Sequence, residues 1–351
     1  MSSFREVQPL LRASIRIHSL AALFRRVAAM AMLGALGACG GGGGGSAPAP
    51  SPPAPSPSVP LDAVMSVPAP VGYDADRLAA FNRLNEIRLS AGLGMLAQSR
   101  VMDQAAQAHA DWEIANNVYG HVEQAGTAGF TGAHWYDRDE AIGYAPVAGG
   151  EVATSGYSAV DAVDVLVNVA YHRAIVLAIE PVDVGVGRSS QVTSNVSEPL
   201  VLDIAVPGSD PVRGVGQLAQ PFTGNVVIWP IDGAQAVRTH MGGESPNPVD
   251  GSDVVALGMP ASVMVSSSRS ILVKSFSLTN LSTGDTVPAH LLTNTNDPNG
   301  LVPTSYVAVI PLMALDSNTS FHVDFEGNVL DPDTGATTPL SRTWTFSTGS
   351  S

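Results

Sequence analysis

The side chains with acid, base or ligand chemistry gather between residues 82 and 187. In order they are Asn-Arg-Leu-Asn-Glu-Ile-Arg at 82–88, His109 in an Ala-His-Ala run, Asn117, His121, Arg138, Glu151 after Gly150, and Asn168 followed by His172 and Arg173. Imidazoles and carboxylates can move protons or bind a divalent metal, and a serine becomes a nucleophile when a base activates it. The serines nearest Glu151, Ser155 and Ser158, lack a Gly-x-Ser-x-Gly elbow and an obvious base, so a Ser-His-Asp triad is unsupported. No His-Glu-x-x-His run, zinc-finger spacing or glycine-rich phosphate loop occurs, and Gly40–Gly45 read as linker. Asp161, Asp164, Asn168 and His172 recur at spacings of three, four and four, which places them on one side of a helix. For Asp161 and Asp164 a solvated face is the plain reading. His109 reads as a core-packed helix residue, His134 as a loop or surface residue, and Glu140 as a surface charge beside Arg138.

Four helices must carry these groups. Asp74 can cap the first, whose stripe is Leu78, Phe81, Leu84 and Ile87, and Gly92 ends it. Ser99 can cap the second, with Val101, Met102, Ala105, Ala108, Trp112 and Ala115 as its apolar stripe and Asn116-Asn117 as its stop. A short third helix is expected over Trp135–Ile142. A fourth is expected over about Ala159–Leu177, with Val163, Leu166, Val167, Ala170 and Ala174 inward. Val182–Val186 and Val201–Val206 read as buried strands, and helices followed by strands fit an α-β-α sandwich. Pro, Gly and Ser then gather over Gly208–Gln220, a boundary. From about Phe222 the period becomes two. Short strands are expected at Ala261–Val265, Ile271–Leu278, Tyr306–Leu312, Phe321–Phe325 and Trp344–Phe346, with turns at Asp232-Gly233, Asp250-Gly251, Asn299-Gly300 and Thr334-Gly335. That pattern describes an antiparallel β-sandwich and makes the chain α+β overall.

The order of motifs from Asn82 through Val184-Gly-Val-Gly187, including Gly92-Leu93, Gly143-Tyr144 and Gly150-Glu151, resembles the CAP superfamily of cysteine-rich secretory, antigen 5 and pathogenesis-related proteins. The resemblance implies a CAP-type α-β-α sandwich over residues 73–208, with one cleft where two His and one or two Glu converge. Carried over motif by motif, His121, Glu151 and His172 belong to that cleft, with Asn168 beside them. The chain departs from the pattern at Val152, where Asn is usual, at Tyr171, where Gly is usual, and at Leu166, where Trp is common. No clear second Glu is present. Two imidazoles and a carboxylate suit zinc or another divalent cation, and three ligands with an open fourth position resemble a catalytic site. Three readings of the cleft stand side by side: a structural hydrogen-bond network, a metal site without catalysis, and a hydrolytic metal centre. In the second unit, 220–349, Trp229-Pro230-x-Asp232-Gly233, Phe276 and the closing Trp344-Thr-Phe-Ser-Thr resemble bacterial Ig-like domains of cell-surface proteins, which implies a spacer or adhesive module.

The N-terminus addresses the chain out of the cytoplasm. VAAMAMLGALGA at 27–38 follows Arg25-Arg26 and reads as the apolar part of a signal peptide, residues 1–38, too short to span a bilayer. Leu36-Gly37-Ala38-Cys39 resembles a bacterial lipobox, which implies lipidation of Cys39 and a membrane anchor. Gly40 after the Cys implies the outer membrane. Cys39 is the sole cysteine, so the fold holds without an intrachain disulfide. Residues 39–72 contain a Gly run and a Pro-rich run, a flexible coil followed by a stiffer spacer. The formal net charge is −14; loss of 1–38, with five Arg and one Glu, leaves 12 basic and 30 acidic residues, a net of −18. With Lys274 as the single lysine, nucleic acid is excluded as a partner class and docking on anionic lipid is disfavoured. The sequence thus points to an envelope or extracellular lipoprotein that binds a lipid, glycan or protein without turnover. A metal-dependent hydrolase or protease, and a structural component with a vestigial cleft, are the alternatives.

Overall fold

The computed structural model describes residues 64–208 and 226–350. The signal segment, Cys39 and most of the linker lie outside them, as does the boundary stretch 209–225. Residues 64–72, expected as linker, already touch the first unit: the Met95 N–H donates to Val64 O, and the Val71 N–H to Gln98 Oε1.

Local signals start and stop the first helices. Asp74 Oδ1 accepts from the Arg77 N–H at the head of α1 (Ala75–Ser90). Ser99 Oγ accepts from the Met102 N–H at the head of α2 (Arg100–Asn116). Gly92, at φ +76, follows the end of α1, and Asn117, left-handed at φ 53, ends α2. With β1 (Ala97–Gln98), α3 (Trp135–Ala141), β2 (Pro146–Thr154), α4 (Ala159–Asn168), α5 (Ala170–Val176), β3 (Asp183–Arg188) and β4 (Leu200–Pro207), they build an α-β-α sandwich. Its sheet runs β1-β3-β4-β2, with β1 parallel to β3 and the other pairs antiparallel.

The strand period of two sorts the two layers. On β4, Leu200, Leu202 and Ile204 join the large core under α1, α4 and α5, while Val201 and Ala205 meet α2. The Val-Gly-Val-Gly run of β3 permits a close approach by α2. A Cβ on Gly187 would stand 2.1 Å from Ala106 O, and one on Gly185 2.4 Å from the Met102 carbonyl carbon.

The expected fourth helix is two helices. Val169 is extended and separates α4 from α5. The break frees backbone groups, and two charged side chains take them up. The Arg173 guanidinium donates to Val167 O and Asn168 O. The Glu244 carboxylate accepts from the N–H groups of Ala170, Tyr171 and His172. A pattern of apolar spacing cannot register such a break, because Glu244 arrives from the second unit.

That unit is an all-β sandwich. One sheet orders β5 (Val227–Trp229), β7 (Ala261–Met264), β10 (Tyr306–Pro311) and β9 (Ala289–Leu292); the other orders β6 (Ala234–Val237), β12 (Thr337–Thr348), β11 (Ser320–Leu330) and β8 (Ser270–Asn280). Phe321, Phe325, Trp344 and Phe346 fill the space between the sheets, together with Val307 and Val309 of β10. The alternate residues of β10, Tyr306, Ala308 and Ile310, belong to the same buried cluster as Leu84, Leu166 and Leu202 of the first unit. β10 is therefore buried on both faces, and the two units share a core.

Candidate cleft of the first unit

His121 lies in the segment after α2 and His172 on α5. Their Nε2 atoms stand 3.3 Å apart, with ring centroids at 5.5 Å. Behind His121, its Nδ1 is 2.8 Å from Glu151 Oε1. Behind His172, its Nδ1 is 3.2 Å from Glu244 Oε1, at ion-pair distance but outside hydrogen-bond geometry. An ionised carboxylate only accepts, so a carboxylate against Nδ1 assigns the ring hydrogen there and leaves a lone pair on Nε2. With the ring hydrogen of His172 also on Nδ1, two lone pairs would face each other across the gap and a cation between them would remove their repulsion; with that hydrogen on Nε2, the 3.3 Å contact is a hydrogen bond between the rings. The His121 side chain is 40% exposed and that of His172 12%, so the pair opens to solvent on the His121 side.

Glu151 does not face that opening. Its Oε1 meets His121, and its Oε2 accepts a short hydrogen bond from Arg138 Nη2. Burial by itself would raise its pKa, but Arg138, His109 and His121 more than offset this and hold the carboxyl well below the usual range. The expected three-ligand set of His121, Glu151 and His172 is thus brought together with the carboxylate behind an imidazole. Among the described residues, no group of three or more His, Cys, Asp or Glu is placed to hold a metal ion. The separation of the two imidazole nitrogens by itself matches that of two ligands on one cation. Two nitrogens each about 2.0–2.1 Å from a tetrahedral zinc lie roughly 3.3–3.4 Å apart. Asn168 enters only through its backbone carbonyl, on Arg173, because the helix break at Val169 takes it off the line of His172.

Beneath the pair lies a layer of buried titratable groups that sequence reasoning missed. His109 is fully buried and stacks on Trp112, as a core residue would, but both ring nitrogens face acceptors: Nδ1 is 3.0 Å from Glu123 Oε1 and Nε2 2.8 Å from Gly120 O. Burial opposes its protonation, yet Glu151 and Glu123 prevail and raise its proton affinity. Glu123 also accepts from the N–H groups of Thr131 and Gly132. Asp203 pairs directly with Glu151 across β4 and β2, and both it and Asp139 are fully buried. Burial, with Glu151 nearby, pushes Asp139 up to about 8; burial, then Asp139 and Glu151, push Asp203 well above the carboxylate range. Burial likewise brings Glu113 up to about 7.

The remaining expected residues lie away from the pair. His134 caps α3 through Asp137 and stacks on Tyr136, and Glu140 is exposed. Ser158 caps α4 and donates to Asp161, while Asp164 pairs with Arg83. Of the residues absent from the sequence reading, Glu244 matters most. It lies far along the chain from His172, in a segment without any motif.

The model of the CAP cysteine-rich secretory protein family matches residues 81–196, which hold both histidines and Glu151 but not Glu244. Two of the solved structures that are similar over part of the chain are surface or extracellular proteins. An extracellular protein containing an SCP domain from Bacillus anthracis is 21% identical with TM-score 0.32, over 37% of this chain and 40% of that one. An outer surface protein from Borrelia burgdorferi is 17% identical with TM-score 0.32, over 37% of this chain and 91% of that one. The chain thus spans less than half of the Bacillus anthracis protein. No curated protein matches it.

Proposed function

We propose that the chain is a lipoprotein of the bacterial envelope, or an extracellular protein, whose cleft binds a divalent cation through His121 and His172 and uses it to hold a ligand without turnover. The observation that carries this reading is the 3.3 Å separation of the two Nε2 atoms, each ring having a carboxylate behind its Nδ1. A zinc ion held there would supply a Lewis-acid site for an oxygen of the ligand. The protein's own groups set the limits on chemistry. Glu151, the carboxylate nearest the pair, is tied to Arg138 and His121 and held ionised, so it is a poor proton shuttle. Val118, Tyr119, Val122 and Phe130, in the same segment as His121, are exposed apolar side chains that a lipid, glycan or protein ligand could cover. The lipidated Cys39 and its linker would tether the cleft to the outer membrane, and the β-sandwich, Ig-like by its motifs, would act as its platform.

Zinc titration calorimetry on wild type, His121→Ala and His172→Ala tests the cation site. The expected result is one zinc per wild-type chain and loss of that binding in both variants. No heat of binding in the wild type would reject the cation site and leave a hydrogen-bond network. Zinc-dependent cleavage of an ester, peptide or glycan panel, lost in both variants, would favour the hydrolase alternative.

A further inference from the structure

We infer that the β-sandwich is a working part of the cleft, with Glu244 as the positioning residue for His172. The inference rests on the cation-binding reading of the histidine pair and adds to it a second unit without which the site is incomplete. Glu244 is buried, with its side chain fully shielded from solvent. One oxygen accepts from Ala170 N–H, the other from the N–H groups of Tyr171 and His172, and that second oxygen also faces His172 Nδ1. A single carboxylate therefore holds the backbone of the first turn of α5 and also stands 3.2 Å from the His172 ring nitrogen that points away from the cleft. Glu151 stands behind His121 in the same sense, there in a 2.8 Å hydrogen bond, whereas Glu244 meets His172 at ion-pair distance. Imidazole ligands backed by carboxylates are oriented, fixed in tautomer and made more basic.

The segment carrying Glu244 is anchored on both sides. Met241 is buried in the shared core, and Asn247 O accepts from Asn299 Nδ2, which also donates to the Tyr171 hydroxyl. That hydroxyl donates in turn to Asp297 Oδ1. Arg173, next to His172, donates across the boundary to Pro260 O and Ser262 Oγ. Further away, Glu180 accepts from Ser266 Oγ and the Ser267 N–H. The residues flanking His172 are thus held by the second unit, and its own ring faces that unit's carboxylate.

The test uses the full chain and zinc ion alone as probe. Zinc affinity is compared for wild type, Glu244→Ala, Glu244→Gln and the interface control Glu180→Gln, and the His172 ring tautomer is read by nitrogen-15 NMR in the metal-free proteins. Loss of a carboxylate behind a metal-binding imidazole weakens binding roughly 10–100-fold. That loss is expected in both Glu244 variants and not in Glu180→Gln, together with a shift of His172 away from the Nδ1–H tautomer in Glu244→Ala. Unchanged affinity in the Glu244 variants, or an equal loss in Glu180→Gln, would overturn the positioning role. If the wild type binds no zinc, the cation reading falls by itself. The tautomer comparison then decides: a His172 ring unaltered in Glu244→Ala overturns the inference, and an altered one upholds it.

Discussion

Buried acids with high proton affinity beneath the cleft make stability depend on pH in a specific direction. Asp139, pushed from 3.8 to about 8, binds its proton more tightly folded than unfolded. Its effect on stability is therefore neutral below the unfolded value and increasingly unfavourable as pH rises through that window. Glu151 has the opposite sign: its depressed folded value gives stability that is present above about pH 4.5 and is lost as pH falls. Asp139→Asn should raise stability by on the order of a few kcal/mol near pH 9 and change it little near pH 4, where wild type is protonated. Chemical denaturation at both pH values checks this, and an equal effect at the two would contradict it. His121, Glu151 and His172 were legible in the sequence because each sits in a motif. The raised proton affinity of His109, the Asp139–Asp203 layer and Glu244 were not, because burial and long-range pairing create them. Only Glu151 and Asp203, both on buried strands, leave a faint trace in the sequence as charges within apolar runs.

Two helices stand where periodicity predicts one, and Arg173 is the side chain that makes the break tolerable. It is fully buried and donates to two carbonyls freed at the break and to Pro260 O of the second unit. Arg173→Met keeps an unbranched apolar stem but removes the guanidinium and strands those carbonyls, each worth about 1–3 kcal/mol when left unpaired. The expected loss is at least about 3 kcal/mol, and it should fall on both units together. A urea midpoint equal to wild type would contradict the assignment. At this scale the sequence was most readable where local chemistry decides: the Asp74 and Ser99 caps and the Asn117 stop stand where the residue types place them. It was least readable at Val169, where a partner from the second unit overrides the helical pattern.

The two units unfold as one body if the shared core governs the molecule. Tyr306, Ala308 and Ile310 would be left uncovered by loss of the first unit, and Leu84, Leu166 and Leu202 would lose packing with loss of the second. Calorimetry should give a single transition with equal calorimetric and van't Hoff enthalpies. Two separated transitions would show that the interface is weak and the units independent. The α-β-α sandwich and the β-sandwich were each legible from periodicity. Their union was not, because a strand buried on both faces, such as β10, reads in sequence as an ordinary apolar run. The union is also what brings Glu244 to His172, so the cleft belongs to the whole molecule and not to residues 81–196 alone.

The most direct test of the cation site is the zinc X-ray absorption spectrum of the full chain loaded with one equivalent of zinc. Two imidazole nitrogens at about 2.0–2.1 Å are expected, with oxygen from solvent or ligand completing the shell. A spectrum with no histidine scattering, or a chain that holds no zinc, would contradict that site.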